Sequence, residues 1–195
     1  FKDRKTYLIS RAHGYDINEH VNMLKFLPQR DFLLNNIDNV FPVSQNGVGF
    51  LKRKYPLYRD KISVRRLGTR SVEHKKNKKS NVLYIVSCST VRKLKRIDIL
   101  IDSLKILQDK NIRFYWTHIG SGPQFNYIKR LALRKLKKDS YNFTGFIKNT
   151  EVINWYKNNR TTVFVNTSES EGVPVSIMEA MSVSVPIVAT DVGGT

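Results

Sequence analysis

The sequence predicts an α/β fold in which helices cover a parallel sheet, and two observations support this. From residue 82 onward, short apolar runs typical of strands alternate with segments whose apolar residues recur at helical spacing. Such alternation favours parallel strands, because each crossover helix returns the chain to the start of the sheet. Glycine turns follow the predicted strands at the edge where such sheets bind ligands: Gly120 and Gly122, Gly145, Gly172, and Gly193 with Gly194.

Composition divides the chain into three parts. Residues 1–67 hold too few strands to close a sheet and are interpreted as the back half of a domain whose front half is missing. Residues 68–81 are charged, polar and without apolar periodicity, which indicates a linker. Residues 82–195 carry the regular alternation and are interpreted as a separate sheet domain. Because the chain does not begin with methionine, we expect it to be a fragment of a longer protein.

The elements predicted before the linker are few. In chain order they are a strand end at 5–10, a polar loop at 11–16, a helix through Val21, Leu24 and Leu27, a strand at 38–44, a helix at 48–54 and a strand at 61–64. Asp16 is placed to cap the first helix, and Pro56 ends the second.

The elements predicted after the linker alternate regularly, and this order is what predicts the parallel sheet. They are a strand at 82–86, a helix marked by Ile97, Ile101, Leu104 and Leu107, a strand at 112–119, a helix marked by Phe125, Ile128, Leu131 and Leu136, a strand at 141–144, a helix at 152–156, a strand at 162–166, a helix with Ile177, Ala180 and Met181 facing the core, and a strand at 186–190.

The chain is strongly basic, with a formal net charge of +18 from 34 Lys plus Arg against 16 Asp plus Glu among 195 residues. Three interpretations compete: contact with an anionic membrane surface, nucleic-acid binding, and the composition of a Lys- and Asn-rich organism. The densest run, at 74–79, lacks the interleaved aromatic residues of a single-strand binding platform and favours a solvated linker. A basic surface touching phospholipid ranks second, and nucleic acid third. No apolar run approaches membrane-spanning length.

The stretch with the most chemical information is 168–181. It leads from an apolar strand through Gly172 into a helix, with Pro174 expected at the first helical position. A helix N-terminus suits a phosphate, because it offers unpaired N–H groups and partial positive charge. Glu171 and Glu179, with seven residues between them, can accept hydrogen bonds from sugar hydroxyls.

Both glutamates also have an ordinary interpretation. Acidic residues are favoured at helix N-termini, and a glutamate within a helix is usually solvated. Glu179, however, lies between Met178 and Ala180 in a mostly apolar run, and a buried carboxylate needs a partner. We therefore favour a binding role. A glycosidase-like acid pair would need a carbohydrate cleft rather than phosphate turns.

Two further loops are candidates for binding phosphate. The segment 91–97 places four basic side chains at a strand end, where Lys95 is best positioned to neutralise a diphosphate; a solvated loop is an equal alternative. The turn Gly120-Ser-Gly-Pro123 would let the backbone approach a ligand closely. It lacks the third glycine of the dinucleotide fingerprint, and a plain tight turn explains it at least as well.

The histidines and the cysteine offer little for metal or nucleophilic chemistry. His13, beside Gly14 in a loop at a strand end, is the one histidine placed for a cleft, and the histidine spacings form no metal site. The absence of an Asp-x-Asp pair disfavours a metal-bridged diphosphate. Cys88 has no activating base in the pattern, cannot form an internal disulfide and fits a reducing compartment.

Together, these residues resemble the retaining, nucleotide-sugar-dependent glycosyltransferases of family 4, which have the two-domain GT-B architecture. The strongest match is the Glu-x7-Glu signature from Glu171 to Glu179, set in Ser-Glu-Gly-Val-Pro and followed by the segment 186–194. Supporting matches are Lys95-Arg-Ile-Asp98, Ile119-Gly-Ser-Gly-Pro123, Asn142-Phe-Thr-Gly-Phe146, and Ser10-Arg-Ala-His-Gly-Tyr-Asp16, which is similar to a cleft-facing loop late in the acceptor domain. The order of these motifs agrees over nearly the whole chain.

The resemblance implies a GT-B fold, with 1–67 as the carboxyl-terminal part of a truncated acceptor domain and 82–195 as a donor domain truncated at its carboxyl end. It implies a metal-independent sugar transferase, of the type that acts on capsule or lipopolysaccharide, with a UDP- or GDP-sugar as donor and no cofactor. The implied acceptor is lipid-linked or a saccharide. The implied location is cytoplasmic, with peripheral contact at the anionic inner face of the plasma membrane and no nucleic-acid partner.

The family's roles fall on matching positions of this chain. Glu171 would bond hydroxyls of the donor sugar, Glu179 would hold the ribose hydroxyls, and Lys95 would neutralise the leaving diphosphate. His13 would lie near the anomeric centre from the acceptor side. The remaining donor-binding positions are the backbone of Gly172, Val173, Pro174 and Val175, the glycines Gly120 and Gly122, and Phe146 near the base.

One departure from the family concerns the second phosphate cation. Many members have an arginine at the end of the first donor-domain strand, where this chain has Cys88, Ser89 and Thr90; Arg92 or Arg96 would have to substitute. No carboxylate is placed as a nucleophile, which suits the same-face route proposed for retaining members. The alternatives that remain are another GT-B-type enzyme, such as a nucleotide-sugar epimerase or a phosphorylase, and a basic nucleic-acid-binding protein.

Overall fold

The computed structural model describes residues 6–17, 27–69, 80–193 and 195. The chain forms two compact units. The first comprises Phe1–Gly68 with Glu171–Val173 and Gly193–Thr195, and the second comprises Thr69–Ser170 with Pro174–Val192. Most of the predicted linker at 68–81 lies outside the described residues, and so does most of the helix predicted through Val21, Leu24 and Leu27.

The first unit contains a short parallel sheet and several helices. Its elements are β1 (Ile9–Ala12), α1 (Gly14–Ile17), α2 (Arg30–Asn36), β2 (Asn39–Pro42), α3 (Gln45–Lys54) and a 3₁₀ helix at Pro56–Lys61. Strands β1 and β2 pair in parallel. Ser44 caps α3, because its hydroxyl accepts a hydrogen bond from the Gly47 N–H at 3.1 Å. The apolar core of this unit includes Leu34, Val40 and Leu51.

Two predictions for the first unit are wrong. The polar segment 11–16 is not a loop: it completes β1 and then forms α1. The helix that Asp16 was expected to cap begins outside the described residues. Pairing with β2 supplies the backbone hydrogen bonds that the local sequence does not indicate. The segment 61–64 is not a strand, since Ile62 forms one isolated bridge and Lys61 donates to three carbonyls at the end of α2.

The second unit is a five-stranded parallel sheet with helices on both faces, which confirms the predicted fold class. Its strands are β3 (Leu83–Cys88), β4 (Phe114–Ile119), β5 (Tyr141–Gly145), β6 (Val163–Asn166) and β7 (Ile187–Ala189), in the spatial order β5-β4-β3-β6-β7. Its helices are α4 (Ile97–Asp109), α5 (Phe125–Lys135), α6 (Asn149–Asn158) and α7 (Val175–Ser182), with a 3₁₀ turn at Lys93–Lys95.

Two apolar clusters fill the two faces of this sheet. One contains residues of α4 and α5 and includes Leu104 and Trp116, whose ring packs edge-on against Phe143 at 5.2 Å between centroids. The other contains residues of α6 and α7 and includes Tyr156 and Phe164. The strands alternate between the two clusters along their length, as the two-residue period of a strand requires. The sheet is therefore covered on both sides, as a parallel sheet needs to be.

Two details of α7 differ from the prediction. Pro174 precedes the helix as its N-cap residue, one position before the predicted one, and Met181 is 61% exposed instead of facing the core. Ile177 and Ala180 are buried as expected. Helical spacing identified the correct face, but Met181 follows Ala180 by only one residue and therefore points about 100° away from it.

We expect Leu104→Ala to lower the free energy of unfolding by about 2–5 kcal/mol, because Leu104 is 1% exposed in the cluster beneath α4. The matched control is Ile106→Ala on the same helix, where the side chain is 55% exposed and the change should be small. Urea unfolding followed by circular dichroism measures both. Equal losses in the two variants would contradict the assignment of this core.

Candidate functional site

Backbone hydrogen bonds join the loops that follow β3, β4 and β5. Gly120 N donates to Gly145 O at 2.8 Å, Val91 N donates to Ser121 O at 3.0 Å, and Gln124 N donates back to Val91 O at 3.0 Å. Because the strands are parallel, these loops lie at one edge of the sheet, the carboxyl edge. The candidate residues of three strands are thus brought to one surface.

A second set of hydrogen bonds joins the loop after β3 to the segment that leaves β6. Glu169 N donates to Leu94 O at 2.9 Å, and the Thr167 hydroxyl donates to the carbonyls of Lys95 and Arg96 at 3.1 and 2.9 Å. Strands β3 and β6 are neighbours in the sheet, so these contacts extend the same edge. They fix the backbone around Lys95 against the segment that leads toward the Glu-x7-Glu stretch.

The glycines of the turn after β4 are required by the packing of the turn itself. Gly120 has φ of 134°, and a Cβ there would lie 2.0 Å from the Ser89 carbonyl oxygen. A Cβ on Gly122 would lie 2.7 Å from the Val91 carbonyl oxygen. The two glycines therefore allow the turn after β4 to pack closely against the loop after β3. That they also allow close approach of a nucleotide stays a prediction.

The two neighbouring cations Lys95 and Arg96 differ in what holds them. Arg96 adopts φ of 44° just before α4, and its guanidinium forms a 3.2 Å ion pair with Asp98 that raises its pKa. Lys95 ends the 3₁₀ turn and is half-buried. Since Arg96 is already paired with Asp98, it would have to leave that carboxylate to bind a phosphate.

Glu179 is a buried carboxylate on α7, only 6% exposed. Asn149 Nδ2 donates to its Oε1 at 2.6 Å, and no hydrogen bond from the described residues reaches Oε2. Burial raises the pKa of Glu179, and the Asn149 hydrogen bond offsets part of that rise. A ligand hydroxyl that donated to Oε2 would relieve this desolvation, so the site is suited to a group with hydroxyl donors.

Sequence reasoning missed Asn149, although it holds Glu179. It begins α6, just beyond the Asn142–Phe146 motif, and no motif or periodicity marks it. Cys88 also lies near Glu179, and its pKa is raised to about 12 by burial and by the glutamate. The thiol is therefore protonated at neutral pH.

His118, near the end of β4, is fully buried and was also not singled out for a site role. Its Nδ1 lies 2.9 Å from the Ser87 hydroxyl, which accepts a hydrogen bond from Trp116 Nε1 at 2.9 Å. Burial lowers the pKa of His118 to about 4, so the ring is neutral at physiological pH. Its hydrogen bond with Ser87 links β4 to β3 near the turn at 120–123, and the neutral ring adds no charge there.

The other residues predicted for the site lie at the start of α7, directly after β5 and in the first unit. Val175 begins α7 and is 41% exposed, and Phe146 directly follows β5 and is 78% exposed. The N–H groups of Val175 and Ser176 donate to no acceptor in the described part of the chain, as expected for a first helical turn. His13 lies in the first unit between β1 and α1 and is exposed. The residues Glu171, Gly172 and Val173 also group with the first unit.

Neither a metal cluster nor a membrane span occurs in the described ranges. No three His, Cys, Asp or Glu side chains of 6–17, 27–69, 80–193 and 195 are grouped so as to hold a metal ion. None of the helices there is long and apolar enough to cross a membrane.

The sequence pattern of the family described as "Glycosyl transferases group 1" matches residues 69–195, which is most of the chain. The chain belongs to this family. The match confirms the expectation that the chain carries a glycosyltransferase domain. The match does not show assignment to family 4 or retention of configuration.

Curated relatives cover almost all of the chain. The putative colanic acid biosynthesis glycosyltransferase WcaL of Escherichia coli K12 is 27% identical in an alignment of length 187 that covers 91% of this chain and 45% of WcaL. The chain therefore spans about half the length of the curated relatives that it matches.

Solved glycosyltransferase structures share the fold. A variant of S. aureus TarM, solved with Fondaparinux, alpha-GlcNAc-glycerol and UDP, matches with a TM-score of 0.74 at 18% identity over 94% of this chain and 36% of TarM. Anabaena Alr3699/HepE, solved with UDP and glucose, matches with a TM-score of 0.73 at 19% identity over 96% of this chain and 54% of HepE. These matches confirm the predicted GT-B fold class.

We expect Glu179→Gln to raise the free energy of unfolding at neutral pH. Burial raises the folded-state pKa of Glu179 above that of the unfolded chain, so its contribution to stability is largest below the unfolded-state pKa and falls as pH rises through the folded-state pKa. Glutamine has no charge to desolvate, and its oxygen can still accept from Asn149. The difference between variant and wild type should therefore grow between pH 4 and pH 8.

Urea unfolding across this pH range tests the prediction, with Glu151→Gln as the matched control on the exposed surface of α6. A wild-type protein that is more stable than Glu179→Gln at pH 8 would show that the carboxylate is satisfied within the fold.

Proposed function

We propose that the chain is part of a retaining family 4 glycosyltransferase that moves a sugar from a nucleotide-sugar to a lipid-linked or polysaccharide acceptor without a metal ion. The observation that carries the proposal is Glu179. It is a desolvated carboxylate with one oxygen held by Asn149 and the other without a partner among the described residues, on the helix that follows the Glu-x7-Glu turn. Such a group is suited to the paired hydroxyls of a ribose.

The leaving group of the proposed reaction is a nucleoside diphosphate, on which negative charge grows as the glycosyl–phosphate bond breaks. The first turn of α7 has unpaired N–H groups and partial positive charge, and Lys95 is the cation of the loop after β3 that we assign to this charge. Fixed donors of this kind stabilise developing charge without reorganisation. The hydrogen bonds that join Thr167 to the Lys95 loop support such a fixed geometry.

The other roles are carried over from the family resemblance. Glu171 is proposed to bond hydroxyls of the donor sugar, with the backbone of Gly172 and Val173 beside it. His13 is proposed to act near the anomeric centre. Phe146, which is largely exposed, is proposed to lie near the base.

Two named relatives support the choice of substrates. WcaL is named for colanic acid biosynthesis, which supports a polysaccharide or lipid-linked acceptor for this chain. HepE was solved with UDP and glucose, which makes a UDP-sugar the first donor to test. A GDP-sugar is the second.

We further propose that the enzyme works at the anionic inner face of a membrane as a peripheral protein. The exposed face of α5 supports this, because it carries Lys129, Arg130 and Arg134 together with the exposed Leu133, and α5 contains no acidic residue. Cations interspersed with apolar side chains are typical of helices that lie on anionic lipid.

Isothermal titration of the chain with UDP and with GDP tests the donor site. We expect one nucleotide to bind, and Glu179→Ala and Lys95→Ala each to weaken binding about tenfold or more, because each removes a charge-assisted hydrogen bond. Lys105→Ala is the control, since Lys105 pairs with Asp109 on the exposed side of α4. Thermal melts identify any variant that fails to fold. Unchanged nucleotide affinity in both folded site variants would contradict the assignment of the donor site.

A further inference from the structure

A cavity lies at the amino edge of the sheet in the second unit, at the opposite ends of the strands from the carboxyl-edge loops. Its volume is about 590 Å³, within the range of small-molecule sites. It is lined by the first residues of β3 and β4 and by the connections α4–β4 and α5–β5. None of its lining residues belongs to the proposed donor site.

Two tyrosines form one wall of this cavity. Tyr84 and Tyr115 are register partners on adjacent parallel strands, so their side chains stand next to each other on one face of the sheet. Tyr115 is 36% exposed, and Tyr84 is half-buried beneath the guanidinium of Arg160 at 5.8 Å. Paired aromatic rings provide an apolar platform with hydroxyls at its rim, on which the C–H faces of a sugar ring can pack.

Two cations stand beside the tyrosines. Arg113 and Lys137 are exposed, and their side chains make no hydrogen bond or ion pair with the described residues. Asp139 is the one acidic residue among the lining side chains. The cavity therefore has an excess of positive charge that its own residues do not neutralise.

The loop that carries Lys137 is held in place by other lining residues. The side-chain oxygen of Gln108 accepts from Lys137 N at 2.8 Å, and the Ser140 hydroxyl donates to Lys137 O at 2.7 Å. Trp116 N donates to Ser140 O at 2.9 Å, which ties the same loop to β4. The wall is thus fixed before any ligand arrives, and the ordering cost of binding is small.

We propose that this cavity binds an acidic oligosaccharide. The carboxylate of a uronic acid residue pairs with the planar guanidinium of Arg113, and Lys137 supplies a second cation. A sugar ring packs on Tyr115, which is the more exposed of the two tyrosines. The carboxylate of Asp139 accepts hydrogen bonds from sugar hydroxyls, which a run of nucleic-acid phosphates could not supply.

Ligand at this cavity and nucleotide at the carboxyl edge occupy opposite ends of the strands, so they bind independently. The proposed cavity site does not require that the chain transfers a sugar. If the cavity bound no acidic oligosaccharide, the assignment of the donor site would be unchanged. The converse also holds, since loss of nucleotide binding would not affect this cavity.

Titration calorimetry at low ionic strength tests the proposal with three probes: tetragalacturonate, maltotetraose as the neutral sugar, and an oligothymidylate of eight nucleotides. We expect tetragalacturonate to bind at least tenfold more tightly than the other two and to leave the affinity for UDP unchanged. Arg113→Gln should weaken tetragalacturonate about tenfold, because it removes a charge-assisted pair. Tyr115→Ala should also weaken it, while Tyr115→Phe, which keeps the ring, retains most of the affinity.

The matched charge control is Lys129→Gln, which removes an exposed cation from α5 outside the cavity and should change the affinity for tetragalacturonate less than twofold. Arg113 lies on the surface, so its substitution keeps the test informative if a tyrosine variant does not fold. Four results would overturn the proposal: no binding of tetragalacturonate, equal binding of maltotetraose, tighter binding of the oligothymidylate, or equal losses in Arg113→Gln and Lys129→Gln.

Discussion

The parallel pairing of β3 with β4 on one side and β6 on the other is the constraint on which the candidate site depends. It places the ends of these strands side by side, and hydrogen bonds between the loops then fix them. Glycine at 120 and 122 is needed because a Cβ at either position would collide with the backbone of the loop after β3. Without that close packing, the start of the loop after β3 would lose its contacts with the turn after β4.

The electrostatics of the carboxyl edge are simpler than the strongly basic composition suggests. Cys88 and His118 are both uncharged at neutral pH because they are buried, and Arg96 is neutralised by Asp98. Among the described residues of the second unit, this edge also carries the desolvated carboxylate of Glu179, Lys95 and the first turn of α7. A buried acid whose pKa is raised by desolvation is the kind of local conflict expected where function, rather than folding, selects the residue.

Apolar periodicity correctly predicted the elements that have long amphipathic patterns. It was less accurate where a strand or a contact depends on residues distant in the sequence. Helices α4 and α5 and strand β4 follow from their apolar spacing, and the Glu-x7-Glu turn lies between a strand and a helix as predicted. The strand predicted to end at residue 10, by contrast, continues to Ala12 because β2 pairs with it, and the local sequence does not indicate this. Asn149 and the Tyr84–Tyr115 pair were missed for the same reason, since strand register and contacts between elements are properties of the fold.

Hydrogen–deuterium exchange of the chain with and without saturating UDP, read by mass spectrometry, tests the central claim most directly. The account predicts slower exchange in the carboxyl-edge loops at 89–96 and 120–124 and in the first turn of α7. It predicts no change at the amino edge, in peptides covering 110–115 and 136–140. Protection confined to the amino edge, or none anywhere under saturation, would contradict the placement of the nucleotide site.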